Sequence, residues 1–102
     1  MIAPKLLGHF ELQVLSAVQA LGEGEAYGAA VREWLYDEFR LMASPGAVYV
    51  TFGRLARKGM VRPIDMPPEP RRGGRRRIAY TVTEAGEAAM AATREALARA
   101  LG

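Results

Sequence analysis

The sequence predicts a mainly α fold with one small β-hairpin, an α+β arrangement in which three helices precede the hairpin and one follows it. Two observations carry this. Apolar residues recur at helical spacing in four stretches, most of them bounded by a capping residue or a glycine. Between the third and fourth the period changes to alternation, over residues 60–66 and 77–82, on either side of a Pro- and Gly-rich run. At 102 residues the chain can bury one core and no second.

Residues 1–7 form a loose start in which Pro4 delays any helix. Phe10, Val14, Ala17, Val18 and Leu21 then fall on one side of a helix over residues 9–21, with Gly22 where a C-cap belongs. The following glycines, Gly22, Gly24 and Gly28, resemble a nucleotide loop, but the third is one position late and the run follows a helix where that motif follows a strand. They read as a turn between helices. A second helix over residues 27–39 gathers Tyr27, Ala30, Val31, Trp34, Leu35 and Phe39 on a broad apolar face, which makes Trp34 a core residue. Arg32, Glu33, Asp37 and Glu38 occupy the other side. Glu33 and Asp37 stand one helical turn apart, yet no His or Cys accompanies them, so they read as a solvated face and not as a metal or acid–base pair.

The third helix carries the functional signal. Ser44 suits an N-cap, Pro45 suits the first helical position, and Gly59 suits the C-terminal stop behind the Arg57-Lys58 pair. Val48, Phe52, Leu55 and Ala56 form its apolar stripe. Left outward are Ser44, Gly46, Tyr49, Val50, Gly53, Arg54 and Arg57. This face holds no nucleophile, base or metal ligand, but its tiny residues, aromatic hydroxyl and two arginines let a helix approach a polyanion. Arg54 is the expected base reader, because arginine bonds a guanine edge through two donors.

In the hairpin that follows, Pro63 cannot donate to a ladder and belongs at an edge or a bulge. Ile78, Tyr80 and Val82 share one strand face, Ala79 and Thr81 the other. The tip is too long for a tight turn and holds Arg71, Arg72, Gly73, Gly74, Arg75 and Arg76, with Arg77 at its root. Arginines around a flexible glycine pair can clamp phosphates or enter a narrow minor groove, so residues 67–77 read as a wing against DNA. Thr83 caps the last helix, with Glu84 and Glu87 in its first turn. Met90, Leu97 and Leu101 make an apolar line along it that seeks a second copy of the chain, together with Phe10 of the first helix. The expected division is a DNA-binding unit over residues 1–83 and a dimerisation helix over residues 84–102.

The charge distribution agrees. The net charge of +3 hides a segment, residues 40–80, with ten basic and two acidic side chains, while residues 1–39 carry two basic and six acidic. A basic stripe between acidic flanks is an electrostatic footprint for phosphates. No apolar run approaches the roughly 20 residues of a membrane span, and residues 1–7 lack a secretory signal's length and cleavage site. Without cysteine there is no disulfide or thiolate metal site, which fits a reducing cytoplasm. One histidine, His9, and no paired catalytic groups leave an enzyme without its parts, and no cofactor or metal is expected.

Helix, helix, recognition helix and arginine-tipped hairpin is the order of a winged helix-turn-helix. The chain resembles the PadR family of bacterial transcriptional regulators. The matching pieces are LGHFELQVLSAV at residues 7–18, AYG at 26–28, SPGAVY at 44–49 with the later RL and KG, and RRGGRRRIAYTVTEAG at 71–86. Single pieces such as Thr-Glu-Ala-Gly occur in other winged-helix regulators; their order and spacing give the match its specificity. The resemblance implies a homodimeric repressor, joined by its C-terminal helix, on an inverted repeat in double-stranded DNA. Val50 stands where members often have proline and Phe52 where they often have leucine, which leaves the target sequence open. Relatives that bind aromatic acids or drugs imply a small-molecule effector of unknown identity, yet the last helix has no aromatic residue to stack on one. A winged helix can also serve as a protein-interaction module without specific DNA binding; such modules need no arginine cluster, and five arginines within residues 71–77 count against that reading.

Overall fold

Helix boundaries in this chain follow from a few capping contacts, and those contacts also tie the helices to one another. The computed structural model describes residues 6–67 and 77–102. Among them, in chain order, are α1 (His9–Leu21), α2 (Gly28–Phe39), α3 (Pro45–Arg57), β1 (Val61–Met66), β2 (Arg77–Val82) and α4 (Glu84–Leu101). The fold is α+β, four helices with an antiparallel hairpin.

Gly8 precedes α1 in extended backbone and has no side chain to cap with. Glu11 substitutes, its Oε1 accepting from the Gly8 N–H at 3.0 Å. The second helix starts one residue later than its apolar pattern, because Tyr27 is extended and forms a single antiparallel bridge with Ala79. The Tyr80 N–H donates to the Ala26 carbonyl at 3.1 Å, so the loop before α2 covers the second edge of β2. Arg40 ends α2 at φ 54, in the left-handed region, and Arg32 Nε donates to the Ala43 carbonyl at 3.0 Å across the short link to α3.

Ser44 caps α3 as its residue type implies, its Oγ accepting from the Ala47 N–H at 3.0 Å. The other end is a Schellman turn: Gly59, at φ 74, donates to the Ala56 carbonyl at 3.0 Å and Met60 to the Leu55 carbonyl at 2.9 Å. The chain then enters β1 in register Val61↔Val82 through Met66↔Arg77. Pro63 pairs with Tyr80, whose N–H points away from β1 toward Ala26, so the proline nitrogen faces the outer edge and breaks no ladder bond. On β2 the order of burial differs from simple alternation. Ala79 is fully buried beside its bridge to Tyr27, Tyr80 and Val82 are half-buried against the core, and Ile78, nearer the hairpin tip, is exposed.

One core joins these elements: Val14, Leu15 and Val18 of α1, Val31 and Leu35 of α2, Val48, Phe52 and Leu55 of α3, with Met60, Val61, Ala89 and Met90. Fully buried leucines such as Leu15, Leu35 and Leu55 contribute about 1.5–3 kcal/mol each. Trp34 packs against this cluster, as its spacing implies.

The apolar line on α4 needs a correction. Met90, Leu97 and Leu101 do lie on one stripe, but Met90 is 1% exposed within its own chain, whereas Leu97 is 43% and Leu101 87% exposed. The first half of α4 lies on the domain and the second half runs past it, so Met90 belongs to the core and not to a surface between chains. Phe10 is half-buried and packs on the same core.

Candidate nucleic-acid interface

Burial of Val48, Thr51, Phe52 and Leu55 fixes the rotation of α3. At 3.6 residues per turn, the stripe opposite Leu55 consists of Gly46, Val50, Gly53 and Arg57. Tyr49 flanks it on the side of β2 and Arg54 on the side of α1. Tyr49 and Val50 are strongly exposed, and Ser44 stands exposed at the helix start with its oxygen engaged in the cap.

The two glycines on this stripe have no explanation inside the chain. Neither has positive φ. A methyl built on Gly46 would meet nothing within 4 Å, and one built on Gly53 would meet only Arg57 Nη1, at 3.6 Å. At Gly53, in the interior of α3, glycine costs about 1 kcal/mol relative to alanine. That cost brings no return in internal packing; its effect is a helix face whose backbone can approach another body closely.

Tyr49, Val50, Gly53 and Arg57 meet Tyr80 of β2 around a hollow of about 270 Å³. Tyr80 is held there by stacking on Phe52, with centroids 4.0 Å apart and planes 12° from parallel. Burial pushes the Tyr80 hydroxyl up from its ordinary pKa, and neighbouring Tyr49 adds to the shift, so this phenol stays neutral and able to donate. Sequence alone did not mark Tyr80 for the site; its contact with α3 exists only once the hairpin folds back.

Of the wing residues, Arg77 lies within the described part, its guanidinium carbon 4.3 Å from the centroid of the Tyr27 ring at the start of α2. Arg71, Arg72, Gly73, Gly74, Arg75 and Arg76 lie outside the described residues. The two helix arginines separate: Arg57 lies over Gly53, while the charge of Arg54 acts on Glu11 of α1. Lys58 turns away from the stripe altogether, its Nζ 2.8 Å from Glu11 Oε2. Among the described residues no group of His, Cys, Asp or Glu is placed to hold a metal ion, and no helix is long and apolar enough to cross a membrane.

A three-helix unit, a hairpin packed against its flank and a trailing helix go with a match to the transcriptional regulator PadR-like family, whose model covers residues 17–92. The chain belongs to this family. Its PadR-like fold is similar to that of a transcriptional regulator from Thermoplasma acidophilum, at TM-score 0.71 and 19% identity over 87% of this chain and 82% of that one. A PadR-like transcription factor from Bacteroides fragilis superposes at TM-score 0.72 with 20% identity, over 88% of this chain and 81% of the other. Bacillus subtilis PadR, solved in complex with operator DNA, gives TM-score 0.65 and 15% identity over 81% of this chain and 46% of that protein. No curated protein sequence matches the chain significantly. As a PadR-like protein the chain belongs among transcriptional regulators, which are not enzymes.

Proposed function

We propose that this protein is a homodimeric repressor that binds an inverted repeat in double-stranded DNA, with α3 in the major groove and the hairpin tip beside it. The observation that carries the reading is the outward stripe of α3. Gly46 and Gly53 open the backbone to close approach, Val50 offers an apolar contact to a thymine methyl, and Arg57 can bond a guanine edge, while Arg54 on the flank reaches a phosphate. Ser44, Tyr49 and Tyr80 supply hydroxyls for phosphates at the margin of the same face. Residues 67–77 add sequence-blind charge as a wing, which sets the salt dependence of binding. Residues 1–83 act as the DNA-binding unit, and residues 84–102 join two copies through Leu97 and Leu101, with Phe10 at the edge of the contact. The operator complex of Bacillus subtilis PadR, a protein of the same fold, supports DNA as the partner.

Selection of random duplex fragments on the purified protein, followed by sequencing, tests this. The expected product is a palindrome whose half-sites are about one helical turn apart, roughly 34 Å. A reporter promoter overlapped by that site should fall in output when the protein is expressed. Recovery of fragments with no shared sequence would overturn the reading.

A further inference from the structure

Lys58 closes α3 but does not join Arg54 and Arg57 on the outer side. Its Nζ lies 2.8 Å from Oε2 of Glu11, 47 positions earlier in the chain, and Glu11 is 8% exposed. The other carboxylate oxygen of Glu11 accepts from the Gly8 N–H at 3.0 Å. One residue before, the Leu7 N–H donates to Thr93 Oγ1 of α4 at 2.9 Å in a buried bond. On the opposite side of the α3 terminus, Thr83 Oγ1 donates to the Gly59 carbonyl at 2.6 Å, and the Thr83 N–H to the Met60 carbonyl at 3.0 Å. The end of the recognition helix is thus held by α1 on one side and α4 on the other.

We propose that Glu11 is a positioning residue for DNA reading: it holds Lys58 away from the phosphates and fixes the orientation of α3, so that the outward stripe and not added charge selects the site. The inference rests on the DNA reading above. An ammonium on a flexible stem at the end of a recognition helix is a point charge that any phosphate satisfies, so it adds affinity without adding discrimination. Glu11 offers that ammonium a partner already fixed by a backbone N–H and by burial. The pair therefore costs sequence-blind affinity and favours discrimination.

The test uses the full chain as Glu11→Gln, Lys58→Met and the double variant, each titrated with the selected duplex and with a random duplex at several salt concentrations. Glutamine keeps an oxygen for the Gly8 N–H but releases Lys58. Glu11→Gln is then expected to bind random DNA several-fold more tightly and to steepen the log–log salt slope by about one unit, lowering the ratio of specific to random affinity. Lys58→Met should leave the slope as it is in wild type, and the double variant should return to it. A purely structural role for Glu11 would instead weaken both duplexes without steepening the slope, and that result would overturn the proposal. So would a Lys58→Met protein whose slope flattens by about one unit, since Lys58 would then grip a phosphate in the wild type. Should Glu11→Gln fail to fold, the Lys58→Met slope decides alone. A wild type that binds no duplex sinks the DNA reading and this inference together, whereas a wild type that binds while Lys58→Met flattens the slope sinks this inference only.

Discussion

A β-carbon on Gly86 would overlap the backbone carbonyl oxygen of Met60, so the first turn of α4 lies directly on the turn that ends α3. Val82 closes the same space from the hairpin. Glycine is therefore required there by packing, in a helix where propensity alone would favour alanine. Gly86→Ala must push backbone from backbone, and overpacking of this kind costs about 1–3 kcal/mol. Thermal unfolding should show the midpoint falling by roughly 4–8 °C for each kcal/mol lost in a domain of this size. An unchanged midpoint would mean that α4 can lift from the α3 turn without penalty.

Gly53 makes the opposite case. Its methyl would meet only the far end of the flexible Arg57 side chain, so Gly53→Ala should stabilise the fold by about 0.5–1 kcal/mol. The same methyl stands on the outward stripe proposed to face DNA and should weaken binding to the selected duplex. Calorimetry and a binding titration on one preparation check both signs. A variant that is more stable and binds as well as wild type would remove Gly53 from the interface.

The difference between these glycines marks how far the sequence could be read. Both occur in helical patterns, and nothing in residue type separates one that packing demands from one that packing leaves unexplained. Local signals were legible because their physics is local: Ser44 and Thr83 as caps, Gly59 as the stop of α3, and the apolar stripes that set the rotation of each helix. Contacts between distant segments were not. The Glu11–Lys58 pair, the stacking of Tyr80 on Phe52 and the bridge from Tyr27 to Ala79 join residues whose separation leaves no periodic trace. Met90 was misplaced for a related reason, since helical spacing gives the stripe on which a residue lies but not whether its own domain already covers that stripe.

The two arginines of α3 should separate in binding experiments. Arg57 lies over Gly53 at the centre of the outward stripe, while Arg54 sits on the flank toward Glu11. Arg57→Ala is expected to cost about 1–3 kcal/mol on the selected duplex and much less on random DNA. Arg54→Ala should weaken the two duplexes more nearly alike, as loss of a backbone contact does. The reverse pattern would restore Arg54, the residue favoured by sequence alone, as the base reader.

Glu11 should also leave a signature in acid. Burial pushes its carboxyl up, but the hydrogen bonds from Lys58 and the Gly8 N–H, with the charges of Lys58 and Arg54, outweigh that and hold it below the ordinary glutamate range. A carboxyl whose pKa is lower folded than unfolded contributes stability that is present above its unfolded value and lost as pH falls through its folded value. Wild type should therefore exceed Glu11→Gln in unfolding free energy near neutral pH, with the gap narrowing as pH falls through the titration of the folded carboxyl. Denaturant titrations across that range measure it, and a gap that stayed constant would show that Glu11 carries no lowered pKa.

Leu97 offers the sharpest test of the proposed dimer. It stands 43% exposed on the half of α4 that runs beyond the domain, on the same stripe as Leu101 at 87%, and it has no place in the core cluster around Met90. One recognition helix reads only a few base pairs, whereas two related by a dyad enter successive major grooves and add their contacts. Leu97→Glu would put a carboxylate where two such stripes meet, at a desolvation cost that no partner in either α4 stripe offsets. Because the core of Val14, Val31, Leu55 and Met90 is untouched, the variant should keep its helical circular dichroism, and its unfolding midpoint should lose only what association adds and no longer depend on protein concentration. In sedimentation it should run as a monomer. Its affinity for the palindrome should fall by roughly 100-fold or more, about 3 kcal/mol, while weak binding to random duplex persists. A Leu97→Glu protein that remained dimeric would place the contact between copies on another surface, and Phe10 with the outer side of α1 would be the next region to test.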